Sequence, residues 1–96
     1  MSRDELEMLL EKIAYLARAA DLVVLAGSLP RGVDPGFYAE AIRELSRRRV
    51  RVVLDAEGEP LRLGVEAEPW LVSPNQREAV HVVGQKMIFV GALLLS

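Results

Sequence analysis

The chain has 96 residues, 51% of them hydrophobic and 27% charged, with a formal net charge of -2 and no cysteine. This length suits one small domain that buries a core with little stability to spare. The weak negative charge excludes an overall electrostatic match to nucleic acid or an anionic membrane, and the absence of cysteine excludes a disulfide framework or a thiolate metal site, which fits a reducing cytoplasm.

Ser2 and Glu5 stand at capping-box spacing, with Ser2 as the N-cap. Leu6, Leu9, Leu10, Ile13, Leu16 and Ala17 then recur as one face of an amphipathic helix. Asp21 ends it and opens Leu22-Val23-Val24-Leu25-Ala26, a continuous apolar run that suits a strand buried on both faces. Gly27 to Pro35 reads as a loop punctuated by glycine and proline, with Asp34 as N-cap and Pro35 as first residue of the next helix. That helix carries Phe37, Tyr38, Ala41, Ile42 and Leu45 and is expected to run to about Arg49. Arg51 to Asp55 reads as a second strand, Glu57 to Pro60 as a turn, Leu61 to Ala67 as a short helix, and Trp70 to Val72 as a third strand. Ser73-Pro74-Asn75 leads into a predicted helix near Gln76 to Val83, stopped by Gly84. Met87 to Leu95 is nearly all apolar, too short for the roughly twenty residues that a membrane span needs, and is expected to form a buried strand. No apolar signal core is expected at the N-terminus, where Ser2 to Lys12 are heavily charged.

Such alternation predicts an α/β layered fold with a mostly parallel sheet. Open parallel sheets bind ligands beyond the carboxyl ends of their strands. Ser28 follows the first strand, Asp55 closes the second, and Asn75 and Glu78 follow the third. A hydroxyl beside a glycine-rich loop suits a sugar or phosphate oxygen, and carboxylates suit Mg²⁺ held through its waters. Each residue also has a purely structural reading, and on spacing alone those readings weigh more. Ser28 could stabilise its turn, Asp55 could be the polar stop of a strand, and Asn75 with Glu78 could be a helix N-cap and its N3 glutamate. Gly27 and Gly32 could be there only because a turn needs positive φ.

Three segments carry a resemblance. Gly27-Ser28-Leu29-Pro30-Arg31-Gly32-Val33 is similar to the GSLPxG segment of PfkB/ribokinase-type carbohydrate kinases, Val53 to Leu61 to their LDTSGEAL segment, and Leu71 to Glu78 to their LIKPNxxE segment. Order and spacing match over about residues 20–84, and the nearest branch is that of phosphofructokinases and tagatose-6-phosphate kinases. The remaining residues, 85–96, form a divergent apolar tail. The resemblance implies a three-layer αβα, Rossmann-like architecture in a single partial ribokinase-like domain, and ATP-dependent phosphoryl transfer to a hydroxyl of fructose 1-phosphate, fructose 6-phosphate or tagatose 6-phosphate. It implies that Gly27 and Ser28 contact the sugar phosphate, that Asp55 and Glu78 organise Mg²⁺ through waters, and that Asn75 and Glu78 face the ATP phosphates. It also implies a cytoplasmic enzyme. The family's GxGD motif, which supplies its catalytic base and anion hole, has no counterpart here, nor has its lid, and the family lysine before Pro74 is Ser73. The chain alone is therefore expected to be inactive, with no catalytic base to assign.

The alternative is a non-enzymatic α/β module that self-associates or docks onto a partner through exposed sheet edges, with a homo-oligomer expected. A degenerate gene product without a selected role is a third reading. His81, the lone histidine, lies inside a predicted helix without a G-x-S-x-G elbow and makes no convincing triad or zinc site. Arg47, Arg48, Arg49 and Arg51 read as a solvated helix end that complements the dipole, and Trp70 as core or sheet-edge packing.

Overall fold

Ser2 begins the first helix as its sequence predicts. In the computed structural model, which describes residues 2–72 and the backbone of 87–90, the Ser2 side-chain oxygen accepts the Glu5 N–H at 3.2 Å. The reciprocal bond of a capping box is replaced by the Ser2 hydroxyl donating to the Glu5 carboxylate. Helix α1 (Arg3–Ala17) buries Leu6, Ile13, Ala14 and Ala17, with Leu9 and Leu10 partly covered. Leu16 is exposed, contrary to expectation. It lies at one rim of the apolar stripe and Ala14 at the other, and the helix is rolled toward the alanine.

Strand β1 (Leu22–Ala26) is buried at every position. It runs parallel to β2 (Arg51–Asp55) in the register Val23↔Val52, Val24↔Val53 and Leu25↔Leu54. Paired residues in a sheet share a face, and the core divides accordingly. Val23, Leu25, Val52 and Leu54 join the residues of the three helices in one cluster, while Leu22, Val24, Ala26 and Val53 form a second. Burial on both faces is why β1 reads as an unbroken apolar run. Each such side chain contributes roughly 1.5–3 kcal/mol of hydrophobic stabilisation.

Helix α2 (Phe37–Arg47) crosses from β1 to β2 and buries Phe37, Tyr38, Ala39, Ala41, Ile42 and Leu45. It starts two residues later than the Asp34–Pro35 pattern predicts. Asp34 caps a preceding turn instead: its Oδ1 accepts the Gly36 N–H at 2.7 Å and its carbonyl accepts the Phe37 N–H at 2.9 Å. The helix also ends earlier, and Arg49 lies beyond it with φ +61°. Helix α3 (Gly58–Glu66) takes in the predicted turn as its first coil. Pro60 is compatible with that placement because amides of the first turn have no intrahelical acceptor to lose.

Strand β3 (Leu71–Val72) pairs parallel with β2, and β4 (Met87–Val90) pairs parallel with β1 on its other flank. The sheet order is β3-β2-β1-β4, all parallel. The expected Rossmann-like α/β fold is observed. The apolar tail forms a strand over Met87–Val90. The helix predicted near Gln76 to Val83, with Asn75, Glu78 and His81, lies outside the described residues.

Candidate functional site

Connections from β1 lead one way to β2 and β3, while β4 occupies the other side of β1. Open α/β sheets hold ligands beyond the carboxyl ends of their strands. The first two carboxyl ends lie level, since Ala26 pairs with Asp55. The ladder closes with the Gly27 N–H donating to the Asp55 carbonyl at 3.0 Å. Here the backbone turns away from the sheet with Gly27 at φ +88°, in the left-handed region that favours glycine. The turn leaves Ser28 lining the same cleft as Asp55 at the end of β2.

Gly27, Ser28, Asp55, Ala56 and Glu57 line a cleft of about 290 Å³. The structure thus brings together Ser28 and Asp55, two residues that the sequence places 27 positions apart. Ser28 is exposed, and among the described residues its hydroxyl caps no turn. Asp55 is half-buried, with no ion-pair partner among the described residues. The polar-stop reading accounts for its place at the strand end, but its side chain also fronts the cleft.

Two residues of this site escape sequence reasoning. Glu57 was assigned to a turn, yet it lines the cleft as the residue preceding α3. Tyr38 was assigned to the helix's apolar face, and it is fully buried there. Its hydroxyl, however, donates toward the Ala26 carbonyl at 2.8 Å and the Gly27 carbonyl at 3.0 Å. Burial, and secondarily the charge of Asp55, pushes the Tyr38 hydroxyl up to about 12. The phenol therefore stays a donor throughout the neutral range. The one available signal was chemical: a buried tyrosine needs a partner for its hydroxyl, whereas a phenylalanine does not.

Among the described residues, the lining contains two carboxylates and no lysine or arginine. Such a cleft repels a bare phosphate. Two like charges about 4 Å apart cost roughly 4 kcal/mol in a surface-like dielectric. A divalent cation reverses that sign. Among the described residues no group of three potential ligands could cage a metal by itself. Mg²⁺ does not require one, because it keeps several waters and binds through one or two carboxylates plus the phosphates of a substrate. Asp55 and Glu57 fit that mode of binding and not a resident, fully protein-ligated metal.

A larger cavity of about 440 Å³ runs between α1 and α2, but its charges largely satisfy one another. Arg3 pairs with Glu7 and Glu40, and Arg47 and Arg48 pair with Glu44. The hydrogen bond from Arg48, with help from Arg47, holds Glu44 below the usual carboxylate range. Two members of the arginine cluster, Arg47 and Arg48, thus share one glutamate at the helix end. Trp70 stands half-exposed at the sheet edge, with the Arg51 guanidinium 5.0 Å from its ring centroid.

Comparison with known proteins fits this arrangement. The chain is 45% identical over 67 residues to a 1-phosphofructokinase of Haemophilus influenzae, which is 70% of this chain and 21% of that enzyme. It is 38% identical over 72 residues to the 1-phosphofructokinase of Vibrio cholerae, covering 75% of this chain and 23% of the relative. A third match, to the 1-phosphofructokinase of Bacillus subtilis, is 33% identical over 84 residues, 88% of this chain and 27% of that protein. The chain is similar to a segment of these kinases, as a fragment of a PfkB-type carbohydrate kinase would be. It spans about a quarter of the length of the curated relatives it matches. No family model matches the chain. Among the described residues no helix is long and apolar enough to cross a membrane.

Proposed function

We propose that this chain contributes the sugar-phosphate- and metal-facing segment of an ATP-dependent sugar-phosphate kinase. The observation that carries the proposal is the shared cleft of Ser28 and Asp55 at the carboxyl ends of adjacent parallel strands, in a chain similar to three 1-phosphofructokinases. Their name favours a fructose phosphate over tagatose 6-phosphate as acceptor. In this reading Gly27 and Ser28 hold the sugar phosphate, and Asp55 with Glu78 faces Mg²⁺ through its waters. Asn75 and Glu78 lie toward the ATP phosphates. The metal supplies positive charge that offsets the carboxylates and the transferring group. Ser28 orients, Asp55 attracts the cation, and the attacking group is the sugar hydroxyl. The GxGD motif that supplies the base in PfkB-type kinases has no counterpart in this sequence, so the chain alone is expected not to turn over. A cytoplasmic location belongs to the same proposal.

The test combines a kinase assay with binding on the purified full chain. Fructose 1-phosphate, fructose 6-phosphate and tagatose 6-phosphate serve as acceptors. Expected are no turnover with any of them and Mg²⁺-dependent ATP binding that Asp55→Asn weakens by about tenfold or more, the size of a lost charge-assisted contact. Unchanged ATP binding in that variant, with far-UV circular dichroism intact, would remove Asp55 from the site.

A second reading rests on the edge strand. Leu71 and Val72 of β3 and the adjoining Trp70 are all exposed apolar residues. Such an edge invites pairing with another chain, so self-association is its natural consequence. Sedimentation at rising concentration checks it. A monomer at all concentrations would count against this module reading while leaving the kinase reading untouched.

A further inference from the structure

Tyr38 links the core to the cleft. Its ring lies in the core of α2, tilted against Phe37 with centroids 6.1 Å apart, and is fully buried. Its hydroxyl stands where the β1–β2 ladder ends, 2.8 Å from the Ala26 carbonyl and 3.0 Å from that of Gly27. The second of these carbonyls belongs to the residue whose N–H makes the Gly27–Asp55 bond. One phenol therefore fixes the Gly27–Ser28 peptide from beneath, while Asp55 fixes Gly27 from the side.

Removal of the hydroxyl would leave the backbone free to swing. Gly27 has positive φ and no atom within 4 Å of where a Cβ would be, so local packing does not hold it. The cleft has few other restraints, because Ser28 is exposed and forms no cap among the described residues. We propose that Tyr38 is a positioning residue for the sugar-phosphate loop: its hydroxyl, held by the core, sets the orientation of the Gly27–Ser28 peptide and thereby the place of the Ser28 hydroxyl over Asp55. The proposal rests on the kinase reading for the identity of the ligand, but not for the clamp itself.

The experiment compares amide hydrogen exchange in wild type, Tyr38→Phe and Ile42→Val, all as the full chain. Tyr38→Phe keeps the ring and removes only the donor. Ile42→Val trims the same helix face and serves as the structural control, since the Ile42 side chain carries no hydrogen-bond donor and Ile42 is not among the cleft's lining residues. A net hydrogen bond corresponds to a change of about two- to tenfold in a local opening equilibrium. The expected result is that Tyr38→Phe raises exchange at the Gly27 amide by about that factor relative to the Val24 amide. Ile42→Val should raise both amides together. A Tyr38→Phe chain in which the two amides also rise together would overturn the clamp and leave Tyr38 as core alone.

Titration with fructose 1-phosphate and Mg²⁺ supplies the second readout. The dissociation constant is expected to rise severalfold in Tyr38→Phe and to stay unchanged in Ile42→Val. Equal constants in wild type and Tyr38→Phe would sink the positioning role. A wild-type chain indifferent to the sugar phosphate would sink the kinase reading and the ligand assigned here, while the exchange data would still decide the hydroxyl's hold on the loop.

Discussion

Gly64 of α3 sits so close to Leu54 of β2 that a Cβ added to the glycine would lie 2.5 Å from Leu54 Cδ2. The same Cβ would lie 3.6 Å from Ile42 Cδ1, and both neighbours are fully buried. Two effects oppose each other in Gly64→Ala. Helix propensity favours alanine by about 1 kcal/mol in a helix interior. Overpacking a closed core costs about 1–3 kcal/mol, because Leu54 must leave its rotamer or α3 must lift from the sheet. The second effect is expected to win, with a net loss of about 1 kcal/mol and a lower urea midpoint at unchanged slope. A higher midpoint would mean that Leu54 yields its place without strain.

Arg49 offers the reverse case. Helix α2 closes in a Schellman motif: the Val50 N–H donates to the Leu45 carbonyl and the Arg49 N–H to that of Ser46, both at 3.0 Å. The motif places Arg49 in the left-handed region, at φ +61°, where a Cβ costs roughly 1–2 kcal/mol. Its side chain is exposed and is not one of the ion-pair partners of Glu44. Arg49→Gly is therefore expected to raise stability by up to about 1 kcal/mol, after the larger chain entropy of glycine is set against the relief of strain. A thermal melt decides it, and a lower midpoint would point to a contact of the guanidinium that offsets the strain.

These two sites also show which parts of the fold are legible in the sequence. Burial on both faces writes β1 as an apolar run, and the 3.6-residue period writes α2 as Phe37, Tyr38, Ala41, Ile42 and Leu45. Element ends are less legible, because they depend on bonds that several residue types can make. Asp34 could cap a helix or a turn, and its bond to Gly36 selects the turn. Arg49 gives no hint of positive φ, as an asparagine or glycine would. In the site, Ser28 and Asp55 follow from their places after strands, as did the expectation that they converge. Glu57 and Tyr38 were not legible as site residues, since one depends on where α3 begins and the other on a contact between helix and strand end.

Alkaline pH should test the Tyr38 hydroxyl in bulk. Its pKa is raised from 10 to about 12, first by burial and then by the charge of Asp55. The folded state thus disfavours the phenolate relative to the unfolded state. Stability from this group is complete below pH 10 and is lost as pH rises from about 10 to about 12. The full loss amounts to about 3 kcal/mol, at 1.36 kcal/mol per unit over the two units. Denaturant melts between pH 9 and 12, on wild type and Tyr38→Phe, should show a steeper decline in wild type (the tested range spans about one unit below the ordinary tyrosine value). Asp55→Asn should remove the smaller, electrostatic part of the shift, so that the folded-state pKa falls, the decline ends at lower pH and the total loss shrinks. Parallel declines in wild type and Tyr38→Phe would show that another group governs the alkaline limb.

Gly27 joins stability to the cleft. With φ at +88° and no atom within 4 Å of a built Cβ, a substitution there meets backbone strain and not a collision. Gly27→Ala is expected to cost about 1–2 kcal/mol, and Gly27→Asn less, because asparagine tolerates the left-handed region better than alanine. A collision would rank the variants by size and make asparagine the worse of the two. Strain ranks them by backbone tolerance and makes alanine the worse. The chain can escape that strain only by turning the Gly27–Ser28 peptide, which would carry the Gly27 carbonyl away from the Tyr38 hydroxyl and Ser28 away from Asp55. Thermal melts of the two variants give the order. An alanine variant as stable as wild type would show that the loop reaches negative φ at little cost, and the geometry of the cleft would then have to be held by its ligand.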